Sequence, residues 1–264
     1  MNIRQELKSR KRIVIKVGTT SITLANGRLD LQRIDKLSWV LTALRNKGKE
    51  VILVSSGAIA VGTDRLALSE RPRDVEVKQA ASAVGQAILM QIYLNLFAAY
   101  NQKIAQILLT PDVLENETRK ENARNTMFTL LSMGVIPVVN ANDTVSTEEL
   151  GFSDNDTLSA QVAKLTDSNL LIILSDIDGL YDADPRVCPN ARLLFEVTSF
   201  NEELEKMAAG SGSMLGTGGM ITKITAAKMA VEAGIDTIIA SGEDPAAIFD
   251  ILDGGLIGTL FRTK

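Results

Sequence analysis

Six runs of apolar, largely β-branched residues punctuate the chain: Ile13-Val14-Ile15, Val51-Ile52-Leu53-Val54, Ile104 to Leu109, Val135 to Val139, Leu170 to Leu174 and Ile235 to Ile239. Each run is continuous rather than alternating, the pattern of a strand covered on both faces. Helical spacing fills the intervals. Gln79 to Ala99 reads as one long helix with Ala83, Ala87, Met90, Leu94 and Phe97 in register, suited to packing or to a subunit interface. Asn116 to Met133 reads as a half-exposed helix, and Leu158 to Leu165 as a shorter one. Strands alternating with helices predict an α/β fold, a three-layer αβα sandwich with a mostly parallel central sheet. No long linker, low-complexity tract or repeat interrupts the pattern, so residues 1–264 are expected to form one folding unit with an N-terminal and a C-terminal half.

Open sheets of this kind bind ligands beyond the carboxyl ends of their strands, which directs attention to the residues just past each run. After the first comes Lys16-Val17-Gly18-Thr19-Thr20. A lysine at the end of a buried strand either snorkels to water or meets an anion. The second run leads into Ser55-Ser56-Gly57-Ala58-Ile59-Ala60, a strand-to-helix turn that suits a ligand or a plain serine cap. The fourth ends in Asn140-Ala141-Asn142-Asp143-Thr144-Val145, followed shortly by Ser153-Asp154-Asn155-Asp156-Thr157. Such clusters can hold a small zwitterion, carboxylates facing its ammonium and amides its carboxylate, or can serve as turns and caps. One residue of Asp154 to Asp156 is expected to cap the helix that comes next. A calcium loop is discounted because the EF-hand glycine and distal glutamate are missing. The fifth run enters Ser175-Asp176-Ile177-Asp178-Gly179-Leu180-Tyr181, placed to touch a base or ribose.

Gly216-Thr217-Gly218-Gly219-Met220-Ile221-Thr222-Lys223 succeeds a small-residue loop and opens a helix carrying Met220, Ile224, Ala227 and Val231 on one face. Glycines before a helix let backbone N–H groups approach a ligand, and the helix N-terminus favours an anion. Lys223 lies in the first turn, where acids are usual, and no acidic residue occurs between Glu205 and Glu232. These features suit a polyphosphate cradle, although the stretch is neither a Walker A loop nor a dinucleotide fingerprint. By itself it also fits a surface glycine loop before an ordinary amphipathic helix.

Composition narrows the chemistry. The chain has 264 residues, 45% hydrophobic and 23% charged, and a formal net charge of −4, ordinary for a soluble globular protein. That acidic balance with 4% aromatics argues against nucleic acid as a partner. The single cysteine, Cys188, cannot form an intrachain disulfide, which fits a cytoplasmic location. The charged N-terminus lacks a signal-peptide core, and no run is expected to span a membrane. Most telling, there is no histidine, so the commonest general base and metal ligand are missing.

Taken together, Ile15-Lys16-Val17-Gly18-Thr19, Val54-Ser55-Ser56-Gly57-Ala58, Asn142-Asp143-Thr144-Val145, Asp154 to Ala160, Ser175 to Tyr181 and Gly216 to Lys223 resemble the amino acid kinase family, in that family's order and across nearly the whole chain. Gly18-Thr19 and Ser55-Ser56-Gly57-Ala58 resemble the branch that phosphorylates the side-chain carboxylate of L-glutamate, the first step of proline biosynthesis. The resemblance implies a transferase that uses ATP with Mg²⁺, the amino acid bound by the N-terminal half and ATP by the C-terminal half. It assigns the phosphates to Lys16 and Lys223, the orientation of those lysines to Asp156, and glutamate to Ser56, Asp143 and Asn155. ATP contacts fall to Ser175 and Asp176 and to Thr217, Gly218, Gly219, Met220, Ile221, Thr222 and Lys223 as well as Lys16. Direct metal ligands are not assigned, beyond a minority role for Asp156.

The resemblance also implies feedback inhibition by proline, a homo-oligomer and a glutamyl phosphate reductase as partner. Many members carry a C-terminal PUA domain; here Gly258 to Lys264 resembles the close of the kinase domain, and no PUA domain is expected. Ala141 stands where the family often has Glu, and Ser153 where it often has Gly, both in the presumed amino-acid loop. Two alternatives stand beside this expectation: a sibling kinase acting on another carboxylate, carbamate or a nucleoside monophosphate, and a non-catalytic amino-acid or nucleotide sensor.

Overall fold

The computed structural model describes residues 3–145, 154–201, 204 and 219–262. Within them an eight-stranded sheet runs in the order Ile104–Leu109, Ile136–Ala141, Glu50–Ser55, Arg12–Val17, Leu170–Ser175, Asp236–Ser241, Thr259–Phe261 and Glu196–Val197. Six strands grow from the apolar runs: β1 (Arg12–Val17), β2 (Glu50–Ser55), β3 (Ile104–Leu109), β4 (Ile136–Ala141), β5 (Leu170–Ser175) and β7 (Asp236–Ser241). They pair in parallel throughout. Two short strands, β6 (Glu196–Val197) and β8 (Thr259–Phe261), extend one edge, with β8 antiparallel to β7. Neither has enough apolar residues in sequence to announce itself; tertiary pairing makes them strands.

The helices are α1 (Thr19–Ile22), α2 (Leu31–Asn46), α3 (Ala58–Arg65), α4 (Val75–Ala99), α5 (Pro111–Glu115), α6 (Glu117–Ser132), α7 (Asn155–Leu165), α8 (Met220–Glu232) and α9 (Ala247–Leu252). Period-two alternation along the strands divides them into two layers. Ile13, Ile15, Val17, Val51 and Leu53 point into a core shared with α2, α4 and α9. Val14, Ile52, Val54, Leu171 and Ile173 point the other way, against α6, α7 and α8. Lys16 lies two residues beyond Val14, so it shares the second face, beneath α7 and α8. The predicted αβα sandwich is the observed one.

Three local differences from expectation matter. Helix α7 begins at Asn155, ahead of the apolar stretch, because Asp154 caps it by accepting from the Thr157 N–H at 2.8 Å. That cap draws Asn155 and Asp156 into the first turn. Helix α4 begins at Val75, and its buried stripe is Ala81, Ser82, Gly85, Leu89, Met90, Tyr93 and Phe97, leaving Ala83, Ala87 and Leu94 exposed. The stripe turns because α3 and α4 touch backbone to backbone. A Cβ on Gly62 would lie 1.8 Å from the Ala81 carbonyl oxygen, and one on Gly85 1.8 Å from that of Ala58. Third, α4 is 25 residues long with mean hydropathy 1.3 over its most apolar window, long and apolar enough to cross a membrane, contrary to the expectation that no run is. In this fold its buried stripe packs on the sheet and on α3.

Candidate active site

Three helix N-termini meet at the carboxyl edge of the sheet, and the charged residues there converge on one carboxylate. Asp156 is 1% exposed, Lys16 6% and Lys223 5%. Lys16 Nζ lies 2.5 Å from Asp156 Oδ1, and Lys223 Nζ 3.2 Å from Oδ2. The Thr222 hydroxyl lies 2.9 Å from the same Oδ2 and 2.8 Å from the Gly219 carbonyl oxygen, and its single proton serves one of these acceptors at a time. Burial by itself pushes the Asp156 carboxyl up, but Lys16, Lys223 and the Thr222 hydroxyl outweigh it and hold the group below the usual carboxylate range. Asp156 thus stays ionised and holds two ammonium groups at the junction of β1, α7 and α8.

On one side of this cluster lies a cavity of about 100 Å³ lined by Thr19, Ser56, Asn140, Asp143, Asp154, Asn155 and Arg71, among others. Gly57, at φ 106°, makes the left-handed turn that starts α3 there, and a Cβ would meet Ile22 Cδ1 at 2.7 Å. The turn exposes Ser56, whose Oγ accepts from Asn155 Nδ2 at 2.9 Å. Asp143 receives the Ser82 hydroxyl at 3.2 Å. Burial raises the Asp143 carboxyl, with Ser82 partly opposing. Burial also raises Asp154, and its neighbour Asp156 adds to the rise. Two carboxyls raised above their ordinary range in a small cleft are poised to gain a cationic ligand.

On the other side a cavity of about 270 Å³ runs between the segment after β5 and the start of α8, lined by Ser175, Asp176, Gly179, Tyr181, Arg186, Gly219, Met220 and Lys223 among others. The Ser175 hydroxyl donates to Asp176 Oδ1 at 3.0 Å. Met220 lines the cavity and is otherwise buried in the core, while the Ile221 side chain is 53% exposed. Thr217 and Gly218 lie outside the described residues, as do Gly216 and residues 146–153, Ser153 among them. The structure therefore brings Lys16, Asp156, Thr222 and Lys223 into direct contact, puts Ser56, Asp143 and Asn155 in one cavity, and puts Ser175, Asp176 and Gly219 in the other.

Several participants are missing from the sequence-based assignment. Ser82 and Gln86, four apart on α4, reach Asp143 and Asn140. Their signal was polar residues beside Ala81 and Gly85 on a stripe that otherwise buries apolar groups. Arg71, in the segment before α4, lines the smaller cavity and carries no local signal.

The geometry finds counterparts among known proteins. The profile described as the amino acid kinase family matches residues 11–241. A glutamate 5-kinase from Clostridium perfringens is 52% identical over 266 aligned positions, covering 99% of both chains. Another from Listeria monocytogenes is 49% identical, covering 99% of this chain and 96% of its own. Among solved structures, carbamate kinase from Giardia lamblia bound to AMP-PNP superposes with a TM-score of 0.69 at 19% identity, over 97% of this chain and all (100%) of that one. The UMP kinase from Ureaplasma parvum gives 0.67 at 20% identity, over 96% and 99%. At such identities these two share the fold; the closer sequence relatives and the profile carry the assignment. The chain belongs to the amino acid kinase family.

Proposed function

We propose that the protein is a glutamate 5-kinase, transferring the γ-phosphoryl group of ATP to the side-chain carboxylate of L-glutamate and releasing ADP. The observation that carries this reading is the placement of the Lys16–Asp156–Lys223 cluster between two cavities, one rich in carboxylates and amides and the other open to the start of α8. Identity of about half to enzymes of that name supports the choice of substrate.

The chemistry suits a chain without histidine. A carboxylate with a pKa of about 4.3 is already ionised at neutral pH, so attack on phosphorus needs no general base. The obstacle is electrostatic: an anion approaches a polyanion, and charge moves onto the β,γ-bridging oxygen as that bond breaks. Lys16 and Lys223, held by Asp156, supply positive charge where phosphate oxygens would lie. At an effective dielectric of 20, one such charge about 4 Å away is worth about 4 kcal/mol before desolvation is discounted. Backbone N–H groups at the start of α8 add to it.

Magnesium enters this reading as part of the nucleotide, neutralising phosphate charge when MgATP binds. Among the described residues no three acidic, cysteine or histidine side chains group as a metal cage, and both Asp156 oxygens face ammonium groups. An ion carried chiefly by the phosphates suits this arrangement, and Asp156 is read as the residue that holds the lysines.

In the smaller cavity Asp143 and Asp154 face the substrate ammonium, with Ser56 and Asn155 beside them; Ser175, Asp176, Gly219 and the rest of the segment from Thr217 to Lys223 attend the nucleotide. Proline offers the same ammonium and carboxylate, so feedback inhibition is expected to compete with glutamate; inhibition unaffected by glutamate concentration would put proline elsewhere. The reading extends to a homo-oligomer in the cytoplasm that passes an unstable acyl phosphate to a reductase. Light scattering and a coupled assay with the reductase check those extensions.

The deciding experiment traps the acyl phosphate. Purified protein with MgATP and hydroxylamine is given glutamate, aspartate or acetylglutamate, and hydroxamate and ADP are measured together. Glutamate-dependent hydroxamate is expected. Preference for another acid would reassign the substrate, and nucleotide binding without turnover would favour a sensor.

A further inference from the structure

We propose that Gln86, on α4, is a positioning residue that fixes which end of the Asn155 amide faces the amino-acid cavity, and so makes a free ammonium group a condition of tight substrate binding. The inference rests on reading that cavity as the glutamate site. Its support is a chain of amides anchored at both ends by backbone groups whose polarity admits no alternative. The Ala141 N–H donates to the side chain of Asn140 at 2.9 Å, so the atom it meets is Oδ1. The nitrogen of Asn140 must then be the other atom, and it donates to Gln86 Oε1 at 2.9 Å. Asn140 is 3% exposed, so neither end of its amide can turn to water instead.

That Asn140 oxygen also accepts from Asn155 Nδ2 at 2.9 Å. The same Nδ2 lies 2.9 Å from Ser56 Oγ and 3.4 Å from the Ser55 carbonyl oxygen, a second backbone group that accepts only. An amide has its donors on nitrogen and its acceptor sites on oxygen. With the nitrogen of Asn155 committed to protein on three sides, Oδ1 is the end left for the cavity that Asn155 lines. Beside it stand the carboxyls of Asp143 and Asp154. Three acceptors lining one cavity match the donors of an ammonium group and not the carbonyl oxygen of an N-acyl group. Gln86 never enters the cavity lining. Without its oxygen the buried Asn140 nitrogen has lost its acceptor and, Asn155 itself apart, only the Ala141 N–H still holds that amide, which loosens Asn140 and with it one of the acceptors that orient Asn155.

The test compares L-glutamate with glutarate, which has the same two carboxylates and no ammonium, in the full chain and in Gln86→Met and Gln86→Glu. With MgATP saturating, Gln86→Met is expected to raise KM for glutamate by about tenfold, the worth of one buried hydrogen bond, with kcat and KM for MgATP within about twofold. Its kcat/KM for glutarate should change by less than about twofold, so the preference for glutamate falls about tenfold. Gln86→Glu keeps an acceptor and is nearly isosteric, so its preference should stay within about threefold of the parent. A folded Gln86→Met with unchanged preference, or with equal losses on both acids, overturns the proposal. Should Gln86→Met fail to fold, Gln86→Glu decides: a retained preference supports the relay, and a tenfold loss overturns it. If the parent protein turns over neither acid, the assigned activity fails separately, and calorimetric titration of the two acids reads the same preference; equal binding, or binding of neither, then overturns the relay.

Discussion

Lys16, near the end of the first strand, lies 2.5 Å from Asp156, in the first turn of α7, and both are almost wholly buried. Lys16 would be costly there without Asp156, because an unpaired charge at such a site carries a desolvation penalty of several kcal/mol. Asp156→Asn removes the charge that balances two ammonium groups. The expected loss of stability is about 3 kcal/mol, read as a lower denaturant midpoint. Turnover should fall as well, while the ratio of rates with Mg²⁺ and Mn²⁺ stays as in the parent. A changed metal preference would reassign Asp156 to the metal.

Lys223 is expected to act more on the transition state than on nucleotide binding. By analogy with removal of one oxyanion donor, Lys223→Ala should lower kcat by roughly 10² to 10³. Steady-state kinetics in ATP checks this, and normal kcat with a raised KM for ATP would contradict it.

The two carboxyls of the smaller cavity and the one in the lysine cluster are shifted in opposite directions, so acid should separate binding from turnover. Asp143 and Asp154 are raised, chiefly by burial, and protonate first as pH falls. Asp156 is held low by its lysines against its burial and protonates last. The expected profile shows KM for glutamate rising on the acid side while kcat is still level. Ser82→Ala, which removes a bond that lowers Asp143, should move that rise to higher pH. Coincident acid limbs for kcat and kcat/KM would refute the ordering.

Linkage gives the same groups opposite effects on stability. The folded pKa of Asp156 is depressed, so its contribution is present above the unfolded value and is lost as pH falls through the folded one. Asp143 and Asp154 have raised folded values, so the stability they contribute is present below the unfolded value and is lost as pH rises through the folded one. Unfolding free energies across acid pH, compared between the parent and Asp143→Asn, should show the variant relatively more stable near neutrality and that advantage vanishing in acid.

The backbone contact between α3 and α4 makes Gly62 and Gly85 sensitive positions. A methyl group on either would overlap a carbonyl oxygen, at 1.8 Å, and the helices would have to separate. Gly85→Ala is expected to cost about 3 kcal/mol or more, at the upper end for overpacked sites. It should also raise KM for glutamate, because Ser82 and Gln86 ride on α4. A melting temperature equal to the parent's would show that the crossing yields without cost.

The six strands and the layer order were legible in sequence because a strand buried on both faces must be apolar at every position, and such runs survive any detail of packing. Lys223 at the start of α8 and the cap among the Asn/Asp clusters were legible for a similar reason: caps and buried charges are rare enough in those places to need an explanation. What sequence left open was which alternative each residue served. Asp154 proved to be the cap, and the helix it caps starts ahead of the apolar stretch, which puts Asp156 in its first turn, between Lys16 and Lys223.

Only the tertiary structure decided that meeting, because it joins residues from β1, α7 and α8 whose spacing along the chain carries no period. The same holds for β6 and β8, which are strands by virtue of a neighbour, and for Ser82 and Gln86, which local pattern places on a packing helix. Local preference acts over a few residues and is written in the sequence that has it. The polarity of an amide such as Asn155 rests on Asn140, on Gln86 behind it and on the Ser55 carbonyl, and folding alone brings these within hydrogen-bonding distance.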